Sequence, residues 1–336
     1  MKKKILFRAD GNTITGLGHL YRLFALAEVY KQSYEYTYIT KSSSTVEVIP
    51  EDYNIVVIDK QIDLLEEPLW LASRYNPEEH IIIADGYHFT SSYQKSIKDL
   101  GFSLIFIDDL AKEHMYADIV INHSSSSQVS DFKSEDYTQF ALGTEYSLLR
   151  PAFLELAKEK RTINKINTAF ICFGGADKFN FSYQTAKVLL EIDQVSNIHI
   201  VIGAAYNGDE INELKHKFPQ RIRVYRNLSE KELIKVMKLC NLAIAPTSTI
   251  LYELLCVKMP IISGYFVENQ KSVYNWFNQK KCFYGIGDFC DFDFKKLKDI
   301  IVKFSDVSLL QSYINNQSKC IDGNQKERFL KLVNNL

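Results

Sequence analysis

The chain has 336 residues, 46% hydrophobic and 24% charged, the balance of an ordinary globular protein about two domains long. Forty basic residues face forty-one acidic ones for a formal charge of -1, so no overall field attracts polyanions and nucleic acid is not an expected partner. The 20 Tyr and 21 Phe are far more burial-seeking surface than a disordered chain carries. The first lysines precede an apolar run that stops at Arg8, short of an export signal, and no stretch approaches the ~20 apolar residues of a membrane span. Cysteines at 172, 240, 256, 282, 290 and 320 lack paired short spacings and mostly have apolar neighbours, so free thiols in a reducing cytoplasm are expected.

In chain order, short β-branched and aromatic runs alternate with amphipathic stretches. Residues 4–9 read as a strand, 20–30 as a helix, 36–40, 55–59 and 80–84 as strands, 92–100 as a helix, and 103–107 and 118–121 as strands. A polar, Glu- and Lys-rich helical stretch from Arg150 leads to a second start: a strand at 168–173 that breaks into Gly174, Gly175, Ala176 and Asp177. Strands follow at 199–202, 221–225, 242–245 and 260–263. Continuous apolar strands alternating with helices predict parallel sheets covered on both faces. The mid-chain restart favours two doubly wound Rossmann-like domains, 1–150 and 151–336, facing a central cleft, over one long barrel.

Sheets of this kind bind ligands beyond the carboxyl ends of their strands, where glycine turns admit backbone and helix starts present N–H groups. At the first such end, Asp10 leads through Gly16, Leu17 and Gly18 into a helix with His19 in its first turn and Arg22 one turn later. A helix start suits an anion and biases a histidine toward its neutral, base-competent form. Arg22 also has the plain reading of a partner for a nearby carboxylate. At the second, Gly174 and Gly175 permit positive φ and close approach of a phosphate, or form an ordinary turn capped by Asp177. At the third, Thr247, Ser248 and Thr249 open a helix whose Glu253 sits among apolar residues, where it wants donors such as ribose hydroxyls or a buried cation. Smaller signals are Asp85 with Tyr87, Asp108 with Asp109, Asn122 with His123, and Asn269 with Gln270; each alone reads as a turn or cap. No serine elbow, Walker loop or zinc-protease motif occurs.

Taken as an ordered set, these residues resemble the UDP-sugar hydrolase family of pseudaminic acid biosynthesis, relatives of the MurG-type glycosyltransferases with the GT-B fold. The motifs are Phe7-Arg8-Ala9-Asp10, Gly16-Leu17-Gly18-His19-Leu20-Tyr21-Arg22, Ile83-Ala84-Asp85-Gly86-Tyr87, Phe106-Ile107-Asp108-Asp109, Ala117 to Asn122, Tyr146 to Arg150, Cys172 to Asp177, Glu253, and Glu268-Asn269-Gln270. The resemblance implies cleavage of a UDP-linked diacetamido-trideoxy sugar to the free sugar and UDP, with neither metal nor cofactor and with His19 as the base. It implies UDP in the second domain, Glu253 on the ribose, and Gly174, Gly175, Thr247, Ser248 and Thr249 near the diphosphate. Asp10, Gly16, Gly18, Asp85, Tyr87, Arg150, Asn269 and Gln270 are the expected sugar contacts. A cytoplasmic monomer without stable membrane association is expected. Two alternatives remain open: a glycosyltransferase on the same fold, with a sugar hydroxyl in place of water, and a non-catalytic nucleotide-sugar-binding protein.

Overall fold

The computed structural model describes every residue except 1, 2, 13–15, 204 and 305. The chain forms two compact units, Met1–Pro151 with Asn324–Leu336, and Ala152–Gly323. The first contains β1 (Lys4–Ala9), α1 (Gly18–Tyr30), β2 (Tyr36–Lys41), β3 (Ile55–Ile58), α2 (Glu67–Ala72), β4 (His80–Asp85), α3 (Ser91–Asp99), β5 (Ser103–Ile107), β6 (His114–Met115), β7 (Ile119–Asn122), β8 (Lys133–Ser134) and β9 (Gln139–Leu142). Seven strands make one sheet in the order β3-β2-β1-β4-β5-β7-β9, every neighbouring pair parallel, while β6 and β8 pair separately.

Alternation along β1 divides the core. Ile5, Phe7 and Ala9 face α1, whose Leu20, Leu23, Phe24, Ala27 and Tyr30 cover them. Leu6 points to the other face, where Ile82, Leu104, Phe106 and Val120 pack with Tyr93 and Ile97 of α3. Arg8 shares that second face and is fully buried.

The second unit runs α4 (Pro151–Lys158), β10 (Thr168–Ile171), α5 (Phe181–Leu190), β11 (Asn197–Ile202), α6 (Glu210–Lys217), β12 (Ile222–Arg226), α7 (Glu230–Leu239), β13 (Leu242–Pro246), α8 (Thr249–Val257), β14 (Ile261–Tyr265), α9 (Glu268–Gln279), β15 (Tyr284–Asp288), α10 (Leu297–Lys303) and α11 (Val307–Cys320). Its sheet is also wholly parallel, in the order β12-β11-β10-β13-β14-β15. In both sheets the order reverses beside the unit's first strand, between β1 and β4 and between β10 and β13. That is the switch point where an open parallel sheet leaves a crevice past its carboxyl ends.

The fold class is the expected one, α/β with two doubly wound sheets. Strands β9 and β15 were not foreseen. Both are sheet edges, paired on one side only; β9 buries only Ala141, and β15 carries Gly285 and Gly287, so neither shows an apolar run. The last helix, α12 (Gln325–Asn334), corrects the expected boundary, because it returns to the first unit rather than completing the second. Its Phe329 and Val333 join the α1 side of the core, and Tyr30 Oη donates to Phe329 O at 2.6 Å. The six cysteines are unbonded, all buried but Cys290. Among the described residues no helix is long and apolar enough to cross a membrane.

Because Phe329 closes the first unit's core, Phe329→Ala should cost that unit about 3–5 kcal/mol. Amide hydrogen exchange should quicken across α1 and β1 and stay unchanged across β10 and β13; equal quickening in both units would contradict the division.

Candidate active site

The first switch point is anchored from beneath. Arg8 Nε and Nη2 donate to the Glu67 carboxylate at 2.7 and 3.0 Å, and Nη1 and Nη2 donate to Asp10 at 2.6 and 2.7 Å. Glu67 is itself fully buried and accepts the Tyr93 hydroxyl at 2.7 Å. Burial opposes the guanidinium charge, but Glu67 and Asp10 overcome it and hold Arg8 above its ordinary range. Asp10 also accepts Lys41 N at 2.7 Å and Thr40 Oγ1 at 3.1 Å, and His88 Nε2 lies 3.0 Å away. Burial would raise the Asp10 carboxyl, yet His88, Arg8 and the Lys41 amide hold it well below the usual carboxylate range. The start of the loop after β1 is thereby tied to the end of β2.

Above that anchor, α1 begins at Gly18, uncapped by any side chain. Gly16 has φ +87°, its amide donates to Asn12 O at 2.8 Å, and its carbonyl would stand 2.9 Å from a Cβ on Gly11. Both positions therefore require glycine. The first turn of α1 places His19 at the end of β4, where Asp85 is level with Ala9 across the sheet. His19 Nδ1 lies 2.7 Å from Asp85 Oδ1, and Asp85 has no exposed surface. Arg22, one turn along α1, donates Nε to Asp85 Oδ2 at 2.9 Å, Nη2 to Asp85 Oδ1 at 2.7 Å and Nη1 to Asp109 at 2.7 Å. Tyr87 packs edge-on against the His19 ring, centroids 4.5 Å apart, and its hydroxyl donates to Asp109 at 3.2 Å. Burial opposes the Arg22 charge, and Asp85 and Asp109 more than restore it. His123, after β7, completes the group: burial and the nearby Arg22 charge pull it down to about 4.

In the second unit, Gly174 follows β10 with φ +86°. Gly203 comes after β11, and a Cβ there would sit 2.3 Å from Gly175 Cα, so only glycine lets the two turns approach. The two helix starts at this switch point differ. Asp177 accepts Phe181 N and Ser182 N at 2.9 and 2.8 Å, which closes the start of α5. The start of α8 carries no side-chain cap: Ser248 is half-buried and Thr249 exposed. An anion would find free amide direction and dipole at α8. Glu253 is buried one turn into that helix.

The structure thus brings together His19, Asp85 and Tyr87, and adds Arg22, Asp109 and His123. Asp10 adjoins them through its own network, its oxygens engaged by donors of the first unit. Asp108 turns away and accepts Ala111 N at 2.6 Å as a turn residue. Arg150 is half-buried immediately before α4. In the second unit Thr247 is buried, its hydroxyl turned to the carbonyls of Gly264 and Gln270 at 3.2 and 3.0 Å. Gln270 is buried and accepts Phe266 N at 3.2 Å, while Asn269 is exposed. Sequence reasoning missed Glu67, Gly203 and the role of Arg8; a charge inside an apolar strand and a glycine just past a strand end were the available signals. Among the described residues no cluster of three or more His, Cys, Asp or Glu could hold a metal ion.

No family model matches the chain. Among solved structures, Acinetobacter baumannii MurG superposes with TM-score 0.67 at 10% identity, over 99% of this chain and all of that one. Anabaena HepE, solved with UDP-glucose, superposes with TM-score 0.61 at 14% identity, over 99% of this chain and all of that one. Two wholly parallel sheets, each reversing its strand order beside its first strand, on the architecture of these proteins define the class: this is a GT-B fold. By sequence the chain is 26% identical over 287 residues to the UDP-2,4-diacetamido-2,4,6-trideoxy-beta-L-altropyranose hydrolase of Campylobacter jejuni, covering 82% of this chain and 97% of that one. It is 26% identical over 272 residues to Bacillus subtilis SpsG, a spore coat polysaccharide biosynthesis protein, covering 78% and 77%. An uncharacterized Methanocaldococcus jannaschii protein is 28% identical over 291 residues, 82% of this chain, and the match spans only 58% of that relative. Within the GT-B class, the chain is a relative of the family that the altropyranose hydrolase represents.

The depressed His123 gives a pH signature. Its ordinary value is 6.5 and its folded value about 4, so the unfolded chain binds the extra proton between those limits. The stability it contributes is present above pH 6.5 and is lost as pH falls toward 4. The first unit's stability to urea should fall from pH 7.5 to pH 5, and His123→Asn should flatten that slope; an unchanged slope would remove His123 as its source.

Proposed function

We propose that the protein is a UDP-sugar hydrolase of nonulosonic acid or surface polysaccharide biosynthesis, releasing UDP and a free diacetamido-trideoxy sugar. The observation that carries this reading is His19 itself, an imidazole anchored through Nδ1 on a buried carboxylate at the sheet's switch point. The match to the altropyranose hydrolase over nearly all of that protein's length supports the same chemistry.

In this reading the second unit binds the nucleotide. The open start of α8 and the glycine turn at Gly174 and Gly175 receive the diphosphate, with Ser248 and Thr249 as hydroxyl donors, and Glu253 accepts from the ribose hydroxyls. Water attacks the anomeric carbon and gives its proton to His19; the bond from that carbon to the diphosphate oxygen breaks, and the electron pair leaves with UDP. Backbone N–H groups and the helix dipole stabilise the departing anion. Asp85 is assigned to His19 rather than to the sugar, and Tyr87 offers its exposed ring beside His19 as a sugar contact.

Incubation with UDP-linked diacetamido-trideoxy sugars should release UDP and free sugar in equal amounts without an acceptor. A requirement for an acceptor alcohol would make the protein a glycosyltransferase. His19→Ala should lose on the order of 10²–10⁴-fold in turnover, the worth of a positioned base, with UDP affinity unchanged. Glu253→Ala should weaken UDP binding by about 1–3 kcal/mol in calorimetry, and equal affinity would remove Glu253 from the nucleotide site.

A further inference from the structure

We propose that Asp85 is the positioning residue of the base: it holds His19 as the Nδ1–H tautomer and so makes Nε2 the atom that accepts the proton of water. The proposal rests on the hydrolase reading for the identity of the reaction, but the geometry is a property of the free protein. Three atoms converge: His19 Nδ1 lies 2.7 Å from Asp85 Oδ1 and 2.8 Å from Arg22 Nη2, and Arg22 Nη2 lies 2.7 Å from the same Oδ1. One hydrogen on Nδ1 decides the arrangement. If Nδ1 were bare and accepted from Arg22, its lone pair would face a carboxylate oxygen at 2.7 Å, two acceptors in repulsive contact. With hydrogen on Nδ1, imidazole and guanidinium are two donors on one oxygen that carries lone pairs for both. Full burial of Asp85 leaves no water to substitute for either donor.

Charge completes the case. The charged and titratable groups gathered around His19 and Arg22 are Asp85 and Tyr87 at the end of β4, Asp108 and Asp109 after β5, and His123 after β7. Asp108 is turned to its own backbone, and Tyr87 and His123 are neutral near pH 7. Arg22 offsets only one of the three carboxylates, Asp85, Asp108 and Asp109, so the group is net negative while His19 is neutral. Protonation of Nε2 reduces that negative charge. The anchor that fixes the tautomer therefore also stabilises the imidazolium formed as water is deprotonated.

Nitrogen-15 NMR of His19 in the free protein, combined with pH–rate profiles, tests this. The wild-type protein should show a pyrrole-type Nδ1 and a pyridine-type Nε2. In Asp85→Asn the group loses a negative charge, so the His19 titration and the acid limb of kcat should move down by about 1–3 pH units. Turnover should fall on the order of 10²–10⁴-fold with KM unchanged. Arg22→Lys, which retains the cation, should keep the wild-type tautomer. A pyridine-type Nδ1 in the wild-type protein overturns the proposal whether or not any variant folds. So does an Asp85→Asn protein that loses activity only in step with its folded fraction while its His19 titration stays put. The expected tautomer and shift in a protein that cleaves no UDP-sugar would support the positioning role and overturn the hydrolase reading.

Discussion

A guanidinium with no exposed surface lies within the central strand from which the first candidate site is hung, and the order of that site follows from it. Burying Arg8 is costly unless every direction of its charge is answered, and removal of one partner from such a group typically costs about 3–5 kcal/mol. Here four hydrogen bonds join the guanidinium to two carboxylates, Glu67 and Asp10 at the strand's own exit, with the Phe89 ring 5.0 Å from the guanidinium carbon. Because Asp10 also accepts Lys41 N and Thr40 Oγ1, the exit of β1 is tied to the end of β2. A rigid exit is what a histidine needs if it is to meet a carboxylate on the neighbouring strand at hydrogen-bond distance.

The two units solve one topological problem with opposite chemistry. Each reverses strand order beside its first strand and leaves a crevice there. In the first unit that crevice is filled by charged and aromatic side chains locked to one another: His19, Arg22, Asp85, Tyr87 and Asp109. In the second it is lined by backbone, because Gly174, Gly175 and Gly203 remove side chains where two turns meet, and α8 starts without a cap. Side-chain networks hold and move protons; bare backbone amides hold phosphate-like anions.

Much of this was legible in the sequence because parallel strands buried on both faces spell themselves as apolar runs, and because glycines at strand ends mark where backbone must turn. His19 and Glu253 stood out by address, whereas Asp85 alone read as a turn or cap. Other features required three dimensions. Glu67 looks like a surface residue at the start of a short helix, and only the folded chain reveals that it faces Arg8. Thr247 and Gln270 have the composition of ligand-binding residues, yet packing turns Thr247 onto main-chain carbonyls and Gln270 onto a backbone amide. Arg22 joins two carboxylates from separate strands, a pairing that depends on strand order rather than on spacing. Edge strands β9 and β15 escaped because one-sided pairing relaxes the demand for apolar side chains.

The return of α12 to the first unit sets an order for biosynthesis. A chain emerging from the ribosome exposes β1 and α1 early, but the surface that Phe329 and Val333 cover stays bare while all of Ala152–Gly323 is made. At ~5–20 residues per second that interval is roughly ten to thirty seconds. Meanwhile the second unit, contiguous in sequence, has everything it needs to fold. The half of the molecule that begins first is therefore finished last, and its nascent apolar face is the segment for which a chaperone has the longest opportunity to bind.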